Sequence, residues 1–214
     1  MGLTYVIEHM EEDETTPRSL PPWVELEYSH MISLAGPDAQ VQFTHLSRNS
    51  CDSLRNKLAS IGRPDSFRVH TEPIMDVLKS RDVPLAKVCL LDPKAERELK
   101  PEDGVDFDWF LFGHPGDDPP RDRTSELRQL GFPARHLGTV QMTTDTALGV
   151  TKRVVHDKIP LDGIPYVNFP TIKFNAKESV EMPFRYIADP EGEPLLPPGM
   201  RELLHEDLNK SFDF

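Results

Sequence analysis

Residues 137–155, LGTVQMTTDTALGVTKRVV, place a glycine and a row of threonines at a spacing that can do chemistry. Gly138 turns the chain after a short strand-like stretch. Thr143, Thr144 and Thr146 then open an apolar-periodic segment through Ala147, Val150, Val154 and Val155. A strand, a close turn and a helix start, in that order, offer backbone N–H groups and the positive end of a helix dipole to a ligand. The same layout most often does no more than cap a helix, so the segment alone does not establish a site. The eight histidines have no ligand spacing, which argues against a metal. No Ser-His-Asp or Cys-His constellation stands out either.

The elements around this segment alternate. Residues 4–7 (TYVI) make a β-branched opening strand, ended by the charged stretch 8–12, and 13–22 are a polar connector containing prolines. Pro21 and Pro22 lead into a helix with Trp23, Leu26, Met31 and Leu34 on its apolar face and Gly36 past its end. Residues 40–46 alternate like a strand, 52–61 have helical pattern with Gly62 as the stop, and 67–81 are ambiguous. The runs 87–91 (KVCLL) and 107–112 are continuously apolar, as buried central strands of a parallel sheet are. Residues 94–99 and 125–130 suit short helices, 134–137 a strand, 143–157 a helix, and 164–169 a last strand that closes the alternation. From Pro170 the chain turns proline-rich and irregular, with a final helical stretch at 200–208. This order predicts an α/β fold, a mostly parallel sheet flanked by helices. A glycine triplet after the first strand is missing, as is a phosphate loop. The glycines that follow strands are Gly113 and Gly138, so a ligand site beyond the carboxyl ends of the strands belongs to the second half.

Composition narrows the partners. At 214 residues the chain is one domain, or one domain with an appendage. Its net charge of −12 disfavours binding to phosphate backbones and suits a basic protein partner, though solubility alone also accounts for it. Cys51 and Cys89 have neither metal nor disulfide spacing, which points to a reducing compartment. No apolar stretch approaches a membrane span, the N-terminus lacks a signal peptide, and Val6 stands where a myristoylation motif needs Ser or Thr. A cytoplasmic protein is expected.

Several longer motifs now line up: YVIEHMEE at the start, VCLLDP at 88–93, and FDWFLFG at 107–113 leading into HPGDDPPRDRTSEL. RHLGTVQMTTDTA at 135–147 and EMPFRYIADPEGEPLLPPGM at 181–200 follow in order. Together they resemble a branch of the SPOUT methyltransferases, fungal enzymes that methylate arginine in a protein. The resemblance implies a SPOUT domain over residues 1–170, a C-terminal trefoil knot within about 107–158, and an extension at 171–214 packed on the domain. It also implies that S-adenosylmethionine binds against Leu111, Phe112, Gly113, Leu137, Gly138, Gln141, Met142, Thr143 and Thr144. Relatives carry a sequence such as GGILGD after the strand, whereas this chain has Gly113-His114-Pro115-Gly116-Asp117-Asp118.

Arginine is a poor nucleophile because its guanidinium stays protonated. An enzyme that methylates it needs carboxylates to grip the fork. Asp145, Glu8 and Glu181 are the catalytic candidates, with Asp117 and Glu11 behind them. Asp145 suits the helix dipole equally well, and Glu11 with Glu12 reads as a solvated charge run. Arg121, Asp122 and Arg123 match the family motif and could pin their loop or orient the cofactor's carboxylate; Arg185 could pin the tail. Phe169, Ile172, Phe174, Phe184 and Tyr186 could cover the face through which many SPOUT enzymes dimerise, giving a monomer, or simply pack on their own sheet. The expected function is methylation of an arginine in a basic substrate, a small-subunit ribosomal protein. An RNA methyltransferase of the same fold and a non-catalytic ribosome-associated module that binds the cofactor are the alternatives.

Overall fold

Six strands lie side by side, all running the same way: β1 (Thr4–Glu8), β2 (Gln40–Thr44), β3 (Phe67–Val69), β4 (Val88–Leu91), β5 (Trp109–Gly113) and β6 (Ala134–Arg135). The computed structural model describes residues 2–10, 20–59, 61, 65–113 and 123–210. The strand order is β3-β2-β1-β5-β4-β6, so β5 inserts between β1 and β4 and the chain reverses its direction of travel there. Helices α1 (Pro22–Ala35), α2 (Arg48–Leu58), α3 (Ile74–Ser80), α4 (Asp103–Asp106), α5 (Arg123–Gln129) and α6 (Thr144–Val155) connect and cover the strands.

Both faces of the sheet are buried, which is why its central strands read as unbroken apolar runs. Tyr5, Ile7, Cys89, Phe110 and Phe112 share one core with side chains of α1, α2 and α6. Val6, Val88, Leu90, Trp109 and Leu111 share the other with residues of α3 and with Leu127 of α5. A fully buried side chain of this size contributes about 1.5–3 kcal/mol, so the centre of the sheet is the rigid part of the molecule. Cys89 is buried there, and desolvation pushes its thiol up to about 12.

Three expectations are corrected. In α1 the core-facing residues are Val24, Tyr28, Met31, Ile32 and Ala35, while Trp23 is exposed. The helix is buried on two sides, against the sheet and against α6, so a single apolar stripe mispredicts it. Residues 94–99 form no helix; Glu98 bridges to His136 and the Leu99 amide donates to the His136 carbonyl, which draws the segment out beside β6. The strand expected at 164–169 shrinks to β7 (Tyr166–Asn168) and stays outside the parallel sheet. The tail also holds more order than its prolines suggest. It contains β8 (Thr171–Lys173), β9 (Ser179–Glu181), β10 (Arg185–Ile187) and α7 (Met200–Lys210). β8 pairs with β9 and β7 with β10, both antiparallel. Proline cannot donate to a ladder but is tolerated between short strands. No helix among the described residues is long and apolar enough to cross a membrane.

Candidate active site

The carboxyl ends of β4, β5 and β6 and the start of α6 surround a cavity of about 460 Å³, within the range of about 300–1,000 Å³ usual for small-molecule sites. Phe112 and Gly113 end one wall, and Leu137, Gly138, Gln141, Met142 and Thr144 make the facing one. Leu111 points into the second core and Thr143 is not part of the lining. Pattern reading missed Leu91, Asp92, Pro93, Lys94, Thr124, Arg128, Thr139, Val140 and Ala147, which complete it.

Two glycines make the walls possible. Gly138 has φ of +97°, a conformation costly for any side chain bearing a Cβ. A Cβ on Gly113 would lie 3.2 Å from Thr124 Oγ1 and 3.4 Å from the Thr124 amide nitrogen, so the end of β5 and the start of α5 pack backbone to backbone. The turn itself is tied at both ends. The Gly138 amide donates to His136 Nδ1 at 3.1 Å, and the Arg185 amide of β10 donates to the Gln141 carbonyl at 2.8 Å. Arg185 then stacks over the Tyr166 ring and donates to Asn168 Oδ1, so it pins the tail to the turn. At the start of α6, Thr143 occupies the N-cap position but caps nothing; its hydroxyl bonds Thr146 Oγ1 at 2.8 Å. The first amides of α6 therefore have no side-chain cap at the place where Thr144 meets the cavity.

Asp92 and Arg128 brace the opposite wall. Arg128 donates to both Asp92 oxygens, Nε to Oδ2 at 2.5 Å and Nη2 to Oδ1 at 2.8 Å, and the Lys94 amide also donates to Oδ1. Burial works to raise the Asp92 carboxyl, but the Arg128 and Lys94 hydrogen bonds and charges outweigh it and hold it below its ordinary value. The partners lie 36 residues apart, so no spacing rule finds them.

The three carboxylate candidates are not brought together. Glu8 is buried at the end of β1, where it accepts from the Thr44 hydroxyl and from the Ile74 amide at 3.0 Å and pairs with His45 at 3.2 Å. Glu181 lies exposed in β9. Asp145 faces away from the cavity toward α1, where His30 Nδ1–H donates to its Oδ2 at 2.7 Å. Glu27, one turn before His30 on the same helix face, is buried beside it. Burial drives the Glu27 carboxyl well above its ordinary range, and the Asp145 charge adds to that. Glu11, Glu12, His114, Asp117, Arg121 and Asp122 lie outside the described residues, as does the side chain of Arg123. Among the described residues no three His, Cys, Asp or Glu side chains gather as a metal would require.

Comparison with known proteins follows the same outline. The profile of the SFM1-like family, described as protein arginine N-methyltransferase SFM1-like, matches residues 4–211. Protein arginine N-methyltransferase SFM1 of Saccharomyces cerevisiae is 38% identical over 220 residues, 99% of this chain and 98% of the yeast protein. The crystal structure of yeast arginine methyltransferase SFM1 complexed with SAM has a TM-score of 0.81 at 37% identity, covering 97% of this chain and 92% of that one. The complex with SAH has a TM-score of 0.79 at 38% identity, covering 94% of each. A dual-specific Trm10 from Thermococcus kodakaraensis, 20% identical with a TM-score of 0.55, covers 75% of this chain and 95% of its own and shares the fold alone.

Proposed function

Because the chain belongs to the SFM1-like family of protein arginine N-methyltransferases, we propose that it transfers a methyl group from S-adenosylmethionine to an arginine of a small-subunit ribosomal protein. Its fold is of the SPOUT class. The observation that carries the reading is the cavity at the ends of β4, β5 and β6, built from the glycine-ended strand and the 137–144 turn.

The cavity's surfaces fit the cofactor. Leu91, Phe112, Leu137, Met142 and Ala147 give apolar walls for a purine, and the bare backbone at Gly113 and Gly138 lets main-chain groups read its edge. When bound, S-adenosylmethionine supplies a methyl group already activated on a sulfonium sulfur. The protein's task is then to hold donor and acceptor in line and exclude water. The Asp92–Arg128 brace holds one wall in shape and the Arg185–Gln141 bond holds the other. A net charge of −12 draws in a basic substrate.

The same reading makes the protein a cytoplasmic monomer with a trefoil knot at about 107–158. The knot's first loop falls at residues outside the described ones. In support of a monomer, Tyr186 and Ile187 of the tail are buried, and β10 packs on α6, which falls within the proposed knot region. To test the function, the protein is incubated with methyl-labelled cofactor and small ribosomal subunits, whose proteins and RNA are then separated. Label is expected on arginine in one protein. Label in the RNA refutes the assignment, and cofactor binding without any label favours a non-catalytic module.

A further inference from the structure

Glu8 anchors a second group of side chains beside the cavity. Thr44, Glu8 and Gly113 are register partners in one row across the carboxyl ends of β2, β1 and β5. Neighbouring strands lie about 4.8 Å apart, so Glu8 stands one strand from Gly113, which borders the cavity. Alternation sends Val6 and Glu8 to the same face of the sheet. Val6 packs there with Leu127 of α5, the helix whose Thr124 lines the cavity. Glu8 is 3% exposed and fixed by the Thr44 hydroxyl and the Ile74 amide. Its Oε1 stands 3.2 Å from Nδ1 of His45, whose side chain is 44% exposed.

His45 itself is held in an uncommon shape. Its φ is +60°, a left-handed conformation that costs a residue bearing a Cβ and recurs at functional sites. The His45 amide donates to the Glu72 carbonyl at 3.0 Å and the Leu46 amide to the His70 carbonyl at 3.3 Å, which fix that backbone. A carboxylate against Nδ1 keeps the proton on that nitrogen and makes Nε2 the basic one. The methyl transfer needs such an acceptor. Among the described residues of the lining, the one acid is Asp92, already bound to Arg128, and none is a histidine. We infer that His45 is the base that takes the proton released by the substrate arginine, with Glu8 as its positioning residue. The inference rests on the function proposed above. A guanidinium nitrogen bonds the methyl carbon while the carbon–sulfur bond breaks and leaves its electron pair on sulfur. That nitrogen gives one proton to His45 Nε2, the product guanidinium keeps a single positive charge, and Glu8 offsets the imidazolium.

The test uses the full chain, methyl-labelled S-adenosylmethionine and small ribosomal subunits as acceptor. Glycine suits the left-handed backbone, so His45→Gly removes the ring without straining the fold. Its affinity for S-adenosylhomocysteine should stay within about threefold of the wild type by calorimetry, since His45 is not part of the lining. Its kcat should fall about 100-fold or more, the usual contribution of a positioned base, with KM within about threefold. Added imidazole should restore part of the rate to His45→Gly and none to the wild type. Glu8→Gln should lower kcat about tenfold alone and less than about threefold when added to His45→Gly, because no ring is left to position. A kcat of His45→Gly within about threefold of the wild type overturns the role. So does a loss that imidazole leaves unchanged together with equal Glu8→Gln losses in both backgrounds, which marks the pair as structural. A wild type that labels no arginine overturns the proposed function, and this role with it.

Discussion

Replacing Asp92 by Asn changes one oxygen to nitrogen and leaves shape intact, so its cost isolates the charge that braces the cavity wall. Hydrogen bonds to charged groups contribute about 1.5–3 kcal/mol each, and breaking a fully buried ion pair costs about 3–5 kcal/mol. Asp92 is almost wholly buried, with a side chain 1% exposed, but Arg128 is 35% exposed and recovers water when released. Solvent screening on that side lowers the figure, toward the 0–1 kcal/mol of surface pairs. A net loss of about 2 kcal/mol follows, or about 4–8 °C in Tm for a chain of this length. The sign with pH is fixed by the depressed carboxyl. Its contribution is fully present above the unfolded value of 3.8 and is lost as pH falls through the lower folded value. Urea unfolding of both proteins from pH 7 downward should show a constant gap to about pH 4.5 that narrows below 3.8. Calorimetry with S-adenosylhomocysteine should show about tenfold weaker binding, because Leu91, Asp92 and Pro93 line the cavity consecutively. A gap under about 0.5 kcal/mol at pH 7, or one that stays undiminished at the lowest pH where both fold, refutes the reasoning.

Other perturbations read different parts of the molecule. Gly138→Ala should cost about 1–2 kcal/mol from its left-handed backbone and weaken S-adenosylhomocysteine measurably by calorimetry, as the turn and the cavity wall are the same residues. Glu8→Gln should lower stability by about 1–2 kcal/mol, because the Thr44 hydroxyl and the Ile74 amide both donate to its carboxylate; denaturant unfolding reads this directly. In Glu27→Gln the pH dependence should invert relative to Asp92. A raised carboxyl favours the fold below its unfolded value of 4.5 and loses that advantage as pH rises through the folded one. The variant should therefore match the wild type near pH 4 and exceed it in stability at pH 8.

The parallel sheet and the cavity wall at Gly113 and Gly138 were legible because they depend on local chemistry. Continuous apolar runs mark strands buried on both faces, and a glycine after a strand marks backbone that must turn or approach closely. What escaped was whatever depends on pairing across the chain. Residues 94–99 have helical composition, yet their bonds to His136 draw them out beside β6. The Asp92–Arg128 brace and the His30–Asp145 hydrogen bond join residues that no period relates. Trp23 was misassigned for a further reason. A helix packed on two sides has no solvent stripe wide enough to reveal which residues face inward. Glu27 and His30 were thus hidden in plain polar spacing, although they lie in the interior.

The bond from the Arg185 amide to the Gln141 carbonyl makes the C-terminal extension a thermodynamic partner of any ligand in the cavity. A ligand that orders the 137–144 turn also favours the docked tail, and by linkage anything that favours the docked tail tightens the ligand by the same factor. Antibodies, proteases or partner proteins that grip β7–β10 would therefore act as effectors of a cavity they never touch. Protection of the Arg185 amide from hydrogen exchange becomes a remote gauge of cavity occupancy.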